Sequence, residues 1–350
     1  MVYCEAIRVR TDGARSAMYY PLLLIGEKPT GKSMTRGSAT ARLAMPHNRL
    51  VAVLFSMLPI GLALASSDIK AAPDDYFSNT YQEARLKFIA ATKAAGGSLE
   101  QHPNPHQGAE GEALYTDVAT FNLSGARTIL VLGSGTHGVE GFAGSAIQVG
   151  LLRKGIAEEL PDDVGLLFYH ALNPYGFSHL RRFNEDNVDL NRNFIDHRMP
   201  YPANKDYDEL AWLLEPTSLS TWENLKAKIG VAWYRMTRGA RWLQSAISRG
   251  QYNHSKGIFF GGTTEAWSNQ ILHKIAARHL SQTSRIVLID VHTGLGEYGA
   301  VEGITEIDPG TSRYEWMPRC WSIPITNPNA GNAVWGAVEG RGGRGGGGGV

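Results

Sequence analysis

A histidine and a glutamate stand three residues apart directly after a stretch that is typical of a buried strand. The stretch is Arg127 to Leu132, R-T-I-L-V-L, and the turn G-S-G-T separates it from His137, with Glu140 following. Side chains at positions i and i+3 share one face of a turn or helix start, and ligands of open α/β sheets bind beyond the carboxyl ends of the strands. An imidazole and a carboxylate placed in this way supply two of the three protein ligands of a catalytic zinc site.

A third candidate ligand follows another apolar run. Arg285 to Val291, R-I-V-L-I-D-V, is also strand-like and leads directly into His292, which lies 152 residues after Glu140. The set His137, Glu140 and His292 would leave one position of a tetrahedral Zn²⁺ to water, as in catalytic rather than structural sites. Zinc held in this way acidifies water and polarises a substrate carbonyl. Asp290 either orients one of the ligands or is a strand-end carboxylate that accepts backbone N–H bonds.

A charged segment follows a further strand-like run, Val164 to His170, V-G-L-L-F-Y-H. Residues 181–194 read R-R-F-N-E-D-N-V-D-L-N-R-N-F. Because arginine forks bind carboxylates with two parallel hydrogen bonds, Arg182, Asn191 and Arg192 near a metal would hold a substrate carboxylate and polarise its scissile carbonyl. Local ion pairing among the acids and arginines is the alternative, and the position just after a strand end favours the functional interpretation.

These candidates need a sheet that brings the ends of separate strands together. Apolar runs at 128–132, 164–170 and 285–291 predict strands, and the segments around them predict helices at 81–95, 144–153, 267–280 and, with interruptions, 211–248. This alternation predicts an α/β fold with a mainly parallel or mixed sheet flanked by helices. His170 is interpreted as structural. The tryptophans of the 211–248 region are predicted to be core or helix-packing residues: Trp212, Trp222, Trp233 and Trp242.

The composition is that of a globular protein without a bias toward charged partners. Of 350 residues, 43% are hydrophobic and 19% charged, and the net charge of +1 gives no indication of nucleic-acid binding. Two cysteines, Cys4 and Cys320, provide neither a disulfide framework nor a cysteine-based metal motif. A metal site in this chain must therefore use His, Asp and Glu.

Both ends of the chain differ from its middle. Residues 1–33 are interpreted as a possible over-extended start, and 34–72 as a signal or targeting segment, because basic residues precede the apolar run at 50–65. The protein is expected to be secreted or periplasmic if 34–65 is a signal peptide and cytoplasmic otherwise. It would contact a membrane only if 50–65 were an uncleaved anchor. Residues 73–335 are predicted to form the catalytic domain, truncated at its C-terminus, before a glycine-rich disordered tail at 336–350.

Three motifs together resemble a known superfamily. H-G-V-E at 137–140, D-L-N-R-N-F at 189–194 and D-V-H-T-G-L-G at 290–296 look like the zinc carboxypeptidase superfamily. The first two are also similar to its aspartoacylase and succinylglutamate desuccinylase branch. The sequence most resembles a bacterial family of unknown function with a carboxypeptidase-like domain, over roughly residues 74 to 330. The resemblance implies zinc ligands at His137, Glu140 and His292. It also implies a carboxylate-binding pair at Asn191 and Arg192 and a carbonyl-polarising arginine at Arg182, with Arg181 as its rival.

The activity that this resemblance implies is zinc-dependent hydrolysis of peptide or N-acyl-amino-acid amide bonds by promoted water. The substrate would be a small peptide or N-acyl amino acid with a free carboxylate. The superfamily also uses a glutamate base well after the third ligand. The acids of this chain after His292 are Glu297, Glu302, Glu306, Asp308, Glu315 and Glu339, and none of them lies in a matching motif.

Two alternatives follow. A protein of this fold without its base would bind carboxylates or peptides without cleaving them. In addition, residues 133–138 match the G-x-G-x-x-G pattern of dinucleotide-binding proteins, although the next strand does not end in the acidic residue that this pattern requires.

Overall fold

The computed structural model describes residues 2–4, 76–216, 218, 220–294, 300–305, 307–311, 314, 315, 317 and 324–326. Within these ranges the strands are β1 (Val2–Cys4), β2 (Ser98–Gln107), β3 (Ala113–Phe121), β4 (Thr128–Ser134), β5 (Val164–His170), β6 (Arg285–Val291), β7 (Gly303–Ile304) and β8 (Ile325–Thr326). The helices are α1 (Tyr81–Ala94), α2 (Gly141–Arg153), α3 (Pro174–Ser178), α4 (Leu190–Asn193), α5 (Lys205–Leu214), α6 (Thr221–Thr237), α7 (Ala240–Ser248) and α8 (Trp267–His279). Two 3₁₀ helices lie at Gly138–Glu140 and Ile156–Glu158.

The strands form one mixed sheet in the order β2-β3-β5-β4-β6-β1-β7-β8. At its centre β5, β4 and β6 run parallel, while β3 is antiparallel to β5 and β1 is antiparallel to β6. Ser134 at the end of β4 is in register with Val291 at the end of β6. The chain segments that leave these two strands therefore start side by side at one edge of the sheet.

Helices cover both faces of the central strands, which accounts for their continuous apolar sequences. Alternate residues of β4 point to opposite faces: Leu130 and Leu132 pack with α1 and α2, and Ile129 and Val131 pack with α8. Every position of β4 and of β5 is buried. Because both faces are covered, a run such as V-G-L-L-F has no need of polar alternation.

This architecture confirms the predicted α/β fold, in its mixed rather than purely parallel form. The strands β5 and β6 have the bounds expected from their sequences. Polar and proline-containing β2, S-L-E-Q-H-P-N-P-H-Q, and its neighbour β3 were not predicted, because neither has a continuous apolar run.

The region 205–248 forms a three-helix unit with a small core of its own. Leu210, Leu213, Tyr234, Leu243 and Ala246 from α5, α6 and α7 make up this core. The tryptophans of this region were predicted to be core or helix-packing residues. Three of them do not lie in the core, since Trp212, Trp222 and Trp233 are at least half exposed, but Trp212 does pack against Gly230 of α6. Trp242 is partly buried and stacks on Tyr234.

None of the helices within the described ranges combines the length and hydropathy needed to span a bilayer. The predicted targeting segment at 34–72 and the glycine-rich tail at 336–350 lie outside the described residues. So does the predicted over-extended start, apart from β1.

Candidate metal centre

The three predicted ligands lie close together at the ends of two neighbouring strands. After β4, Gly135 takes a left-handed conformation with a φ of 70°, and the chain then turns through His137 into the 3₁₀ helix that ends at Glu140. His292 follows β6 directly. Because β4 and β6 are parallel neighbours, His137 and His292 lie close together although 155 residues separate them.

The three side chains converge through atoms suited to binding a metal. His137 Nδ1 lies 3.1 Å from Glu140 Oε1, and His292 Nδ1 lies 2.9 Å from Glu140 Oε2. The two Nδ1 atoms are 3.1 Å apart. All three side chains are buried, and their ligand atoms lie within 4.8 Å of one another. They are the only such group of His, Cys, Asp and Glu among the residues that the structure describes.

An aspartate occupies the far side of each imidazole. His137 Nε2 lies 3.3 Å from Asp189 Oδ1, and His292 Nε2 lies 2.9 Å from Asp290 Oδ2. Since an ionised carboxylate only accepts hydrogen bonds, each imidazole donates its Nε2–H to an aspartate. The Thr136 hydroxyl also donates to Asp290 Oδ2, over 2.7 Å. This pattern of carboxylate, imidazole and metal orients the ligands of many metal sites.

This protonation pattern supports a cation between the histidines. With hydrogen on both Nε2 atoms, neutral imidazoles direct two Nδ1 lone pairs at each other and at the Glu140 carboxylate over about 3 Å. Such lone pairs repel unless a proton or a metal lies between them. Ligand atoms about 2.1 Å from a tetrahedral metal are about 3.4 Å apart, so the observed spacing needs only a small expansion. Two nitrogens and one carboxylate suit a divalent transition metal better than Ca²⁺ or Mg²⁺.

The electrostatics of the centre keep its carboxylates ionised. Burial disfavours the charge on Glu140, but the contacts of its carboxylate with His137 and His292 hold the pKa of this carboxyl well below its usual value. Burial also disfavours the charge on Asp189, but His137 and Arg182 outweigh this effect and lower the pKa of its carboxyl. Burial also opposes the charge on His292, yet Asp290 and Glu140 raise its pKa to about 9. The centre therefore favours positive charge, whether a proton or a metal ion carries it.

Arg182 is the predicted arginine that reaches this centre. Its Nε donates to Asp189 Oδ2 over 3.0 Å, its Nη1 lies 3.5 Å from Glu140 Oε1, and its guanidinium lies over the ring of Phe259. The neighbouring Arg181 instead donates to Asn187. Of the two rivals, Arg182 is thus the one that contacts a candidate ligand.

Asn191 and Arg192 lie in α4, directly after Asp189, and both are partly buried. Arg192 Nη1 donates to the Asn191 carbonyl over 3.0 Å and Nη2 to the Ser248 carbonyl at the end of α7 over 2.6 Å. Its buried Nε has no hydrogen-bond partner among the residues that the structure describes. Their predicted role in carboxylate binding stays a prediction.

Asp189 is the residue of the centre that the sequence did not single out. It is fully buried, contacts both His137 and Arg182, and its Oδ1 also accepts the Asn191 amide at the start of α4. The sequence did contain a signal for Asp189, since this residue opens the D-L-N-R-N-F motif. However, acids and arginines alternate in this segment, and the sequence alone does not show which acid contacts which partner. By contrast His170, interpreted as structural, is buried against Phe88 and bonded to Ser145.

No general base was located among the acids that follow His292. Within the described part of the chain, Glu302 accepts from Thr326 and Asp308 from the Gly310 amide, and neither they nor Glu315 join the metal-ligand group. Glu297, Glu306 and Glu339 lie outside the described residues.

The glycine turn also bears on the dinucleotide alternative. A Cβ on Gly138 would lie 1.9 Å from the carbonyl carbon of Gly176. This glycine therefore allows close packing against α3, and the space beside it is filled by the chain itself rather than left for a pyrophosphate.

Three solved structures are similar to this chain at low sequence identity. It is similar to carboxypeptidase A from Helicoverpa armigera, with 13% identity, 72% of this chain and 53% of that chain covered, and a TM-score of 0.36. It is also similar to bovine thrombin-activatable fibrinolysis inhibitor, with 13% identity, coverages of 67% and 62%, and a TM-score of 0.35. A succinylglutamate desuccinylase/aspartoacylase candidate from Shewanella frigidimarina shows 16% identity, coverages of 56% and 65%, and a TM-score of 0.25. The chain thus spans less than two thirds of the length of each.

No curated protein matches the sequence of this chain. A family model described as "Protein of unknown function (DUF2817)" matches residues 77–343, which contain the whole candidate metal centre and most of the chain. This match confirms the resemblance to a family of unknown function that the motifs indicated. The chain therefore belongs to the DUF2817 family.

Proposed function

We propose that this protein is a zinc-dependent hydrolase of peptide or N-acyl-amino-acid amide bonds. The observation that carries the proposal is the convergence of His137 Nδ1, His292 Nδ1 and the Glu140 carboxylate, with each imidazole fixed by an aspartate. Two histidines and one glutamate are the protein ligands of several catalytic zinc sites, which leave the fourth position open. When bound, zinc would supply a Lewis acid for a carbonyl oxygen and would acidify water.

Arg182 supports hydrolysis because it presents a positioned cation beside the three ligands. Asp189 holds its Nε, which fixes the plane of the guanidinium, and 32% of the side chain remains exposed. A substrate carbonyl that reached this face would accept a hydrogen bond from a donor already in place. Preorganised donors of this kind stabilise the negative charge that develops on the oxygen during amide cleavage.

We infer that Asn191 and Arg192 bind a free carboxylate of the substrate. Within the described part of the chain, the buried Nε–H of Arg192 has no partner and its Nη2 donates to one backbone carbonyl. A carboxylate could accept from Nε and share Nη2 with the Ser248 carbonyl. This role makes small peptides or N-acyl amino acids with a free carboxylate the substrates to test.

A binding protein of the same fold is the second candidate. It is favoured by one observation: among the described residues after His292, no carboxylate joins the group formed by the three candidate ligands. Loss of a positioned general base removes the ~10²–10⁴-fold that acid–base catalysis contributes. Such a protein would retain a metal and bind carboxylates without turning them over.

The test is hydrolysis by the full chain loaded with zinc, on N-acyl amino acids and short peptides and on their carboxamide analogues. We expect turnover of the carboxylates, and Arg182→Ala should lower kcat/KM by about 10²–10³-fold because it removes an oxyanion donor. Arg181→Ala is the matched control and should keep the wild-type value, since Arg181 contacts Asn187 instead. Arg192→Ala should raise KM and leave the zinc content unchanged.

Carboxylate binding without any turnover would favour the binding protein. Equal turnover of carboxylates and carboxamides would rule out the role of Asn191 and Arg192. Thermal stabilisation by NAD but not by zinc would reject both candidates in favour of dinucleotide binding.

A further inference from the structure

The longest described helix, α6, presents a continuous apolar stripe to solvent. The exposed fractions are 65% for Trp222, 60% for Ile229 and 79% for Met236, and Leu225 and Trp233 are also exposed. Their spacings of three, four, four and three residues place all five on one face of an α-helix. We call this face the outer stripe.

The outer stripe is not the face by which α6 packs on the rest of the protein. The buried residues of α6 are Gly230 and Tyr234, which lie on a different face of the helix. Tyr234 packs into the small core of the three-helix unit, and Gly230 lies against Leu213 and Trp212. Since α6 is already anchored, a second apolar face of this size indicates a binding surface.

The margins of the outer stripe are basic. Lys228 and Arg235, seven residues apart, run along one margin, and neither forms an ion pair with a described residue. Lys226 lies on the other margin and pairs with Glu223, which is the only acidic residue of α6. The complementary partner is therefore apolar and negatively charged.

We propose that the outer stripe of α6 docks on an anionic lipid surface. Helices with tryptophan and aliphatic residues on one face and Lys or Arg beside it lie in the plane of a membrane interface, where tryptophan is enriched. Exposed Trp212 of α5, packed against Gly230, extends the apolar surface beyond one helix. The partner recognised is a bilayer with acidic headgroups, and the inference does not depend on hydrolase activity.

A second copy of this chain fits the outer stripe less well. In an antiparallel pair of α6 helices, the margin with Lys228 and Arg235 would face the same margin of the other copy. Like charges at such flanking positions oppose association. Acidic lipid headgroups would instead neutralise these residues.

The experiment is co-sedimentation of the full chain with vesicles of phosphatidylcholine alone and with added phosphatidylserine. We expect stronger binding to the anionic vesicles. The double variant Lys228→Gln and Arg235→Gln should weaken that binding by roughly 25-fold, because each basic residue near such a surface contributes about fivefold. The control double variant Lys93→Gln and Lys256→Gln removes the same charge from exposed positions on other elements and should bind like wild type. Both doubles should keep the wild-type melting temperature.

Ile229→Asp distinguishes between a lipid surface and a second copy of this chain as the partner of the outer stripe. It should abolish binding to anionic vesicles without changing the sedimentation coefficient of the protein. Equal binding of wild type and the Lys228/Arg235 variant would overturn the proposal. A dimer that Ile229→Asp dissociates would also overturn it, since the stripe would then be an interface between two copies.

Discussion

The two imidazoles of the candidate metal centre are held in the same way by residues from different parts of the chain. Asp290 reaches His292 from two residues before it, while Asp189 reaches His137 across 52 residues. Each carboxylate fixes its imidazole with hydrogen on Nε2 and the lone pair on Nδ1. We therefore expect metal binding to depend on these two aspartates as well as on the three candidate ligands.

Replacing either aspartate should weaken metal binding and leave the fold in place. Asp189→Asn and Asp290→Asn keep the side-chain volume but no longer favour hydrogen on Nε2, so zinc affinity should fall by about 10–100-fold. Competition with a chelator of known affinity measures the change. The control is Asp196→Asn, a partly buried aspartate whose side chain pairs with Arg198 rather than with a candidate ligand. Unchanged affinity in both variants would show that the aspartates do not orient the ligands.

At the scale of single residues, the sequence identified His137, Glu140 and His292 because each follows an apolar strand at once or after a glycine turn. It did not identify Asp189, because nothing local links that residue to His137. The surroundings of Arg192 were equally hidden, since its partner Ser248 lies 56 residues away.

Among the elements, the turn between β4 and α2 has the tightest packing requirement. A Cβ on Gly138 would approach the carbonyl carbon of Gly176 to 1.9 Å and the amide nitrogen of Phe177 to 2.2 Å. Both contacts are with backbone, which cannot rotate away. The same turn is tied to the next segment by a hydrogen bond from the Val139 amide to the Arg181 carbonyl.

Gly138→Ala should therefore lower the free energy of unfolding by about 2–3 kcal/mol, as overpacking does in a well-filled interior. The matched control is Gly150→Ala in α2, where the added methyl group meets Tyr76 at an ordinary 3.7 Å. That variant should be stabilised by up to about 1 kcal/mol because alanine favours a helix. Urea denaturation of the two variants provides the comparison. Equal stabilities would mean that the turn and α3 are not in close contact.

The elements that sequence predicts well are those whose burial fixes their pattern. The strands β5 and β6 have their predicted bounds because both faces are covered. For α6 the apolar residues form two stripes, and periodicity does not say which one packs inward. The tryptophans were consequently predicted to be core or helix-packing residues, whereas two of the four lie on the outer stripe.

Over the whole molecule, a buried histidine couples stability to pH. His170 at the end of β5 is fully buried, stacks on Phe88 with a centroid distance of 4.6 Å, and bonds to Ser145. Burial lowers its pKa to about 4. In the unfolded chain the His170 imidazole binds a proton near pH 6.5. The stability that the folded protein gains from keeping His170 neutral is therefore complete above that pH and is lost as the pH falls toward 4.

Between about pH 7 and about pH 4.5, His170 alone should lower the free energy of unfolding by about 2 kcal/mol. His170→Gln cannot take up this proton, so its stability should fall less than that of wild type over the same interval. Denaturant unfolding at both pH values measures the difference and cancels the contribution of the carboxylates common to both proteins. Parallel pH profiles would show that His170 is already protonated in the folded protein or is exposed.

The sequence did not predict the order of the strands in the sheet. The edge strands β2 and β3 lack a continuous apolar run, and they are stabilised by pairing with neighbouring strands. The candidate metal centre nevertheless lies where the sequence indicated, at the adjacent ends of β4 and β6.

The most direct test is zinc content measured by mass spectrometry after purification of the full chain. Wild type should retain about one zinc per chain, and His137→Ala and His292→Ala should each retain almost none, because two remaining ligands rarely hold zinc. His106→Ala, a half-exposed histidine on β2, should retain the wild-type amount. Stoichiometric zinc in both ligand variants, or a wild-type protein that cannot be loaded with zinc, would contradict the assignment of this centre.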